Sequence, residues 1–425
     1  MNGKRMTPKK RAGSALHSLR HQPTPKPIAL KPSEDDIFRT PDEVAAEDVT
    51  AAPFVPIPIV TAEPPAAVRF AWLAKLREQW PPTRKQWLIA GLLALLVIGS
   101  LVFLLLPTAK PVAHIVKHSK ASVKVVPPTT VASTLSGLPV NPLINARPVT
   151  GVMIENSLDA RPQSGLSQAS VVFEAIAEGG ITRFLALFQD TQPDNIGPIR
   201  SARPYYEQWA LGFDAGYAHV GGSPEAIDDI HSWGVKDLDQ FYNGNSYHRI
   251  DSRAAPHNVY TGVPTLVDLQ NAKGYTTSKF TGFLRKTKPT KPQTPTAKSI
   301  DLAISGPLFN VHYDYDAVSN SYKRSEAGAP HIDADTNTQL SPKVVIALVL
   351  PYSLESDGYH SSYNTLGSGP AFVFQDGIVT TGVWNKADNA SQFTFTDSGG
   401  APLPLNAGQT WLSAIDGSDK VSYAP

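Results

Sequence analysis

The sequence predicts an α/β N-terminal ectodomain and a mainly antiparallel β C-terminal domain, preceded by a single transmembrane helix and a disordered tail. Three observations carry this fold class. WLIAGLLALLVIGSLVFLLL, from Trp87 to Leu106, holds no charge and no proline. As a helix it is long enough to cross the roughly 30 Å hydrocarbon core of a bilayer. Between 137 and 285, strand-like runs alternate with helical patterns, which argues for a layered α/β domain. Beyond a Pro/Thr-rich linker at 286–297, the periodic runs read almost entirely as strand and turn, which marks 298–425 as a β-rich domain.

At 425 residues the chain has room for two or three domains, and 41% hydrophobic residues is ordinary for a globular protein. A net charge of +1 gives no electrostatic reason to expect nucleic acid as a partner. Cysteine is absent, which excludes disulfides, thiolate zinc sites, a cysteine nucleophile and lipidation on cysteine.

Residues 1–66 read as a disordered cytoplasmic tail, basic early, acidic later and interrupted by proline throughout. In 67–86, Trp72, Leu73, Leu76 and Trp80 share one side of a short amphipathic helix, the layout of a helix lying at the headgroups. Arg84 and Lys85 abut the apolar span, whereas Lys110 is the close charge beyond it. This weak asymmetry puts the N-terminus inside and the later domains outside the plasma membrane. Residues 107–136, rich in Pro, Thr, Ser, Val and Lys, form an extended spacer.

In the first domain, RPVTGVMIEN is a strand, and SVVFEAIAEGGITRFLALFQD is a hairpin turning at Gly179-Gly180. A two-residue turn places Ile176 opposite Arg183, with Glu174 and Glu178 flanking that arginine diagonally on one face. Tyr205, Tyr206, Trp209, Ala210 and Phe213 have helical spacing. SPEAIDDIHSWG is a helix with Ser223 as N-cap, Pro224 first and Gly234 as its stop. In the second domain, Asp376-Gly377 between alternating apolar runs signals a hairpin.

Long, ordered blocks run through both domains: RPVTGVMIEN, ARPQSGLSQASVVFEAIAEGGITRFLALFQD, IGPIRSARPYYEQWA, AHVGGSPEAI, RAAPHNVYTG, GSGPAFVFQDGIVTTGVWNK and LNAGQTWL. From roughly Leu138 to Ile415 the chain resembles the YerB-like family of bacterial envelope proteins, also called domain of unknown function 3048. The resemblance implies an α/β part followed by a β part, held outside the cytoplasmic membrane, and it implies no activity. Members are often lipoproteins. This chain lacks cysteine, so the span from Trp87 is expected to anchor it instead, and the long tail is a second departure.

The densest polar run is Arg200, Ser201 and Arg203, with Arg161, Gln163, Arg253, His257 and Asn258. Guanidinium groups form fixed forks suited to carboxylate or phosphate. Converging loops would make an anion site of them, aided by amides at Gly221, Gly222 and Ser223. Alternatively, the arginines tie loops together by pairing Glu155, Glu174, Glu178 and Asp190. Glu174 and Glu178 lie about 13 Å apart along one strand at about 3.3 Å per residue. Glycosidase carboxyls sit roughly 5–9.5 Å apart, so these two are not a catalytic pair, and Glu174 needs another acid. Serine hydrolysis through Ser201 or Ser223 would need His219 or His257 as base, and no G-x-S-x-G elbow is present. Asp333, Asp335 and Asn337 start like a calcium loop, but Thr338 and Val344 occupy its Gly and Glu places. No metal and no cofactor are expected.

The function expected is a single-pass, membrane-anchored envelope protein that binds an anionic cell-wall component or an envelope enzyme through the arginine-rich residues. The alternative is a wall-polymer hydrolase or transferase using Glu174 or His257. Beyond the lipid bilayer, cell-wall glycan or an envelope enzyme is the expected partner, and nucleic acid is not.

Overall fold

Turn chemistry sets the first pairings in the computed structural model, which describes residues 130–290 and 294–425. RPVTGVMIEN supplies β1 (Thr150–Glu155), and the next run supplies β2 (Val171–Glu178) and β3 (Ile181–Phe188). Gly179 and Gly180 take φ of 55° and 81°, the left-handed pair that a two-residue hairpin turn requires. Glu178 pairs with Ile181 as that turn demands, but a bulge between Ile176 and Glu178 then shifts the register. Ala175, not Ile176, faces Arg183. Because side chains alternate along a strand, this one-residue slip puts Glu174 and Glu178 on opposite faces of the sheet. The expectation that both flank Arg183 is corrected accordingly.

Next come α1 (Pro204–Leu211), β4 (Gly216–Ala218), α2 (Pro224–Trp233), β5 (Lys236–Asp237) and α3 (Val263–Ala272). Helix α2 starts and stops where its residues dictate. The Ser223 hydroxyl accepts the Ala226 amide, Pro224 opens the first turn, and Gly234 leaves in the left-handed region. Helix α1 is buried almost all round and covers one face of β2 and β3. There Trp209 stacks on Phe173 at 5.0 Å, and the Tyr206 hydroxyl donates to the Arg183 carbonyl at 2.6 Å.

The later strands are β6 (Ser299–Leu302), β7 (Val311–Asp316), β8 (Ser321–Glu326), β9 (Ala329–Pro330) and β10 (Val344–Val349). They are followed by β11 (Gly367–Gln375), β12 (Ile378–Lys386), β13 (Thr394–Asp397), β14 (Thr410–Ile415) and β15 (Val421–Ala424). The expected Asp376-Gly377 turn joins β11 to β12, pairing Gln375 with Ile378.

The strands assemble into two main sheets. One holds ten strands in the order β13-β12-β11-β10-β14-β2-β3-β1-β4-β5, the other five in the order β9-β8-β7-β6-β15. Strand β14 lies parallel to both of its neighbours, β10 and β2, and all six of its residues are buried. Strands covered on both faces are expected to be continuously apolar, and TWLSAI departs from that at Thr410, whose hydroxyl accepts from Arg285, and at Ser413, which meets a buried carboxylate.

Two parts of the expected fold class are corrected by this architecture. Strands from 137–285 and from 298–425 share one sheet and one contiguous core. Val126–Pro425 forms one compact unit, mostly β, with three α-helices among the described residues, not an α/β ectodomain followed by a β domain. The reason is topological: a parallel strand pair separated by more than 200 residues leaves no local signal. No helix among the described residues is long and apolar enough to cross a membrane, so the single transmembrane helix is no part of this architecture. The tail (1–66), the juxtamembrane helix (67–86), the apolar stretch 87–106 and the spacer up to 129 lie outside the described residues.

Candidate functional site

At the hairpin end of the large sheet, each face carries its own polar cluster. On the face covered by α1, the segment after Pro198 runs beside β1. The Arg200 amide donates to the Met153 carbonyl, and the Ala202 amide to the Gly221 carbonyl. This alignment points Arg200 and Arg203 at two buried carboxylates. Glu178, 3% exposed, pairs with both Arg183 and Arg203. Glu155, 2% exposed, lies 3.4 Å from Arg200 Nε and accepts from the Ser157 hydroxyl at 2.7 Å. It also lies 2.8 Å from His257 Nδ1. Burial works against ionisation of Glu155, but the His257 hydrogen bond and the Arg200 guanidinium outweigh it and hold the carboxyl below the usual range.

His257 is the member of this group that reaches solvent. Its side chain is 20% exposed, and its Nε2 lies 3.9 Å from the exposed Asp159 carboxylate. Arg253 braces the same turn, donating to the carbonyls of Asp159 at 3.0 Å and Pro162 at 2.6 Å. Arg249, exposed on the surface, donates to Asn258 Oδ1 at 2.7 Å. Thus the loop 248–258 and the turn 157–163 meet along a rim that carries Arg249, Arg253 and His257 together with the exposed Asp159 carboxylate, with Glu155 buried behind it.

The opposite face holds a network that sequence reading missed. Glu174 is fully buried and accepts from Arg324 Nη2 at 2.9 Å, Trp411 Nε1 at 3.0 Å and the Ser413 hydroxyl at 3.2 Å. Arg324 donates in addition to Tyr313 and to His331 Nδ1, and its guanidinium lies 4.5 Å from the centroid of the Trp411 ring. Since Nδ1 of His331 accepts, its Nε2 donates to Gln163 at 2.9 Å. Burial, with Arg324 and Arg161 nearby, holds His331 neutral, well below its ordinary range. Gln163 donates to Asn156, and Asn156 donates to Glu326 at 2.6 Å. A signal for this network lay in SYKRSE, where Tyr322, Arg324 and Glu326 share the inward face at period two. Charges in that phase normally mark the solvent face.

The expected site residues therefore separate. Arg200, His257 and Arg253 gather at the rim; Arg161 and Gln163 join it through Asn156, whose Oδ1 accepts from both. Arg203 belongs to the Glu178 cluster. Ser201 is buried, and its carbonyl accepts from Arg183. Asn258 lies behind the loop with Arg249. Glu174 is sealed in its ion pair, and its distance from solvent removes it as an acid for a polymer. Helix-start amides do not serve an anion either, because Gly221 donates to Asp239 and Ser223 to the Ala202 carbonyl. His219 is fully buried between the Gly221 carbonyl and Asp237. One metal-like grouping escaped the sequence reading: ligand atoms of Glu355, Asp357 and His360 lie within 4.8 Å of one another. These groups already hydrogen-bond, Glu355 with Ser223 and Asp357 with His360.

Comparison with known proteins bears on the fold and the family. Residues 135–276 match the N-terminal domain, and 300–412 the C-terminal domain, described as "Protein of unknown function (DUF3048)". The boundary between the two matches falls within the single compact unit. "Putative lipoprotein YerB" of Bacillus subtilis (strain 168) is 30% identical over 293 residues, covering 68% of this chain and 88% of its own length. The crystal structure of YerB from Bacillus subtilis superposes with a TM-score of 0.63 at 29% identity, covering 69% of this chain and 100% of the solved one. On these grounds, the chain belongs to the YerB-like DUF3048 family.

Proposed function

We propose that this protein is an envelope-associated binding protein that holds an anionic cell-wall component at the rim formed by 157–163 and 248–258. The lipoprotein description of its Bacillus relative supports the envelope setting. One observation carries the choice of site. Buried Glu155 fixes His257 by Nδ1, leaving Nε2 outward near Asp159, and Arg253 braces the same turn, whereas Arg183 and Arg203 are sealed against Glu178. The working cations are thus Arg249 and Arg253, with His257 Nε2 as a polar group between the two segments. The test is co-sedimentation of the full chain with insoluble wall material, native or stripped of its anionic groups. Retention on native wall, lost on stripped wall and weakened about tenfold by Arg249→Gln with Arg253→Gln, is expected; that is roughly 1.4 kcal/mol for two charge-assisted contacts. Equal retention on both materials would sink the reading.

A second reading rests on the same histidine. A buried carboxylate on Nδ1 with Nε2 facing out is the arrangement of a general base. If the rim hydrolyses wall polymer, His257→Gln abolishes release of fragments while the chain stays folded. Undiminished release by that variant removes His257 from any such mechanism.

A further inference from the structure

We propose that the cavity at the β8–β9 hairpin is a binding site for a small carboxylate with an apolar body. This site borders the rim, sharing Arg161 and Pro162 with the turn 157–163, and its test reads isovalerate affinity, not wall retention. The cavity measures about 360 Å³, within the range of small-molecule sites. Pro162, Ala329 and Pro330 give it apolar walls, and Arg161, Glu326 and His331 supply the polar groups.

Two of those groups have bonding capacity that the protein leaves unused. Glu326, 5% exposed, has one carboxylate oxygen crowded with donors: Asn156 at 2.6 Å, Arg161 at 3.3 Å and Arg324 at 3.5 Å. Its second oxygen, Oε2, is buried without a hydrogen bond. His331 Nδ1 lies 3.5 Å away but already accepts from Arg324 Nε, so it has no proton to give. Arg161 directs Nε and Nη2 to Asn156 and Leu308, and its Nη1 has no acceptor among the described residues. A buried polar atom such as Glu326 Oε2 is rarely left so in a finished structure, and Arg161, 17% exposed in its side chain, reaches the open side of the cavity.

Charge chooses the ligand. Glu326 is faced by Arg324 on its own strand, Arg161 from the turn, Glu174 from β2 and His331 from beyond β9, with Tyr313 on Arg324. Burial pushes its carboxyl up to about 7, against the pull of Arg324 and with the push of Glu174. Below that pH, Oε2 carries the proton, and both unused groups are donors. Arg161 and Arg324 against Glu174 then leave one positive charge. Two donors and a net positive charge fit a carboxylate, and an amine would meet the Arg161 guanidinium.

The probe is isovalerate, titrated calorimetrically into the full chain at pH 6 and pH 8, with isovaleramide and inorganic phosphate as controls. One linked proton with a midpoint near 7 makes isovalerate bind about tenfold more weakly at pH 8. Glu326→Gln carries a permanent donor and is expected to bind equally at both pH values. Arg161→Gln is expected to weaken binding at pH 6 at least tenfold. If Glu326→Gln does not fold, the wild-type pH ratio decides alone. No isovalerate binding at pH 6, equal binding of the amide or of phosphate, or a wild-type affinity indifferent to pH would each overturn the proposal.

Discussion

Replacing Glu174 by Gln keeps the shape of the side chain and removes its charge, and the structure makes that change expensive. Arg324 and Glu174 are both 0% exposed, so the guanidinium loses its principal counter-charge with no water to replace it. One carboxylate oxygen accepts from Arg324, the other from Trp411 and Ser413. An amide has one acceptor. If it keeps Arg324, its NH₂ faces the Trp411 N–H, which has no acceptor capacity, while the Ser413 hydroxyl can turn to accept. Breaking one side of a buried ion pair costs about 3–5 kcal/mol. For a folded unit of this size, that corresponds to a drop in Tm on the order of 10 °C. Denaturant titration of the full chain, followed by tryptophan fluorescence, measures the loss. The double variant Glu174→Gln with Arg324→Met should lose less than the sum of the singles. A loss below about 1 kcal/mol for Glu174→Gln would refute the claim that this pair is a buried strut.

Two further outcomes follow from the same structure. Glu326 has its folded-state pKa raised from 4.5 to about 7, so the folded form holds a proton that the unfolded form has released. Its contribution to stability is present in full below about 4.5 and is lost as pH rises through about 7; a midpoint-against-pH series on wild type and Glu326→Gln should differ by that slope, and parallel curves would refute it. Ser223→Ala removes the cap of α2 and the hydrogen bond to Glu355, and should cost about 1 kcal/mol by denaturant titration, with loss of amide protection at Ala226.

What the sequence made legible was local. Helix α2 and the turns at Gly179-Gly180 and Asp376-Gly377 formed where cap and turn residues placed them, because each needs only its immediate neighbours. The hairpin that Gly179-Gly180 opens shows where that reasoning stops. Its turn is as expected, yet a bulge beside Ala177 moved Glu174 to the other face, and no residue type there announces a bulge. The candidate site divided for a related reason. Arg200 and His257 come together around Glu155 and Arg253 braces the adjoining turn, so the rim was partly readable from polar residues on loops. The partner of Glu174 lies 150 residues away at Arg324, in a segment assigned to a separate domain. Its inward phase was visible in SYKRSE, but an arginine facing a core is legible only when its counter-charge is known.

The position of β14 bears on how the chain can be made. A ribosome delivers residues in order, and helix α1 with β1, β2 and β3 emerges long before Thr410. Until Thr410–Ile415 arrives, β2 and β10 each present an unpaired edge, because the strand that joins them is made after both. Exposed edges of this kind invite pairing with other chains. Completion of the sheet therefore waits on Thr410–Ile415. A nascent chain stopped short of Thr410 is not a smaller version of this protein but two open half-sheets.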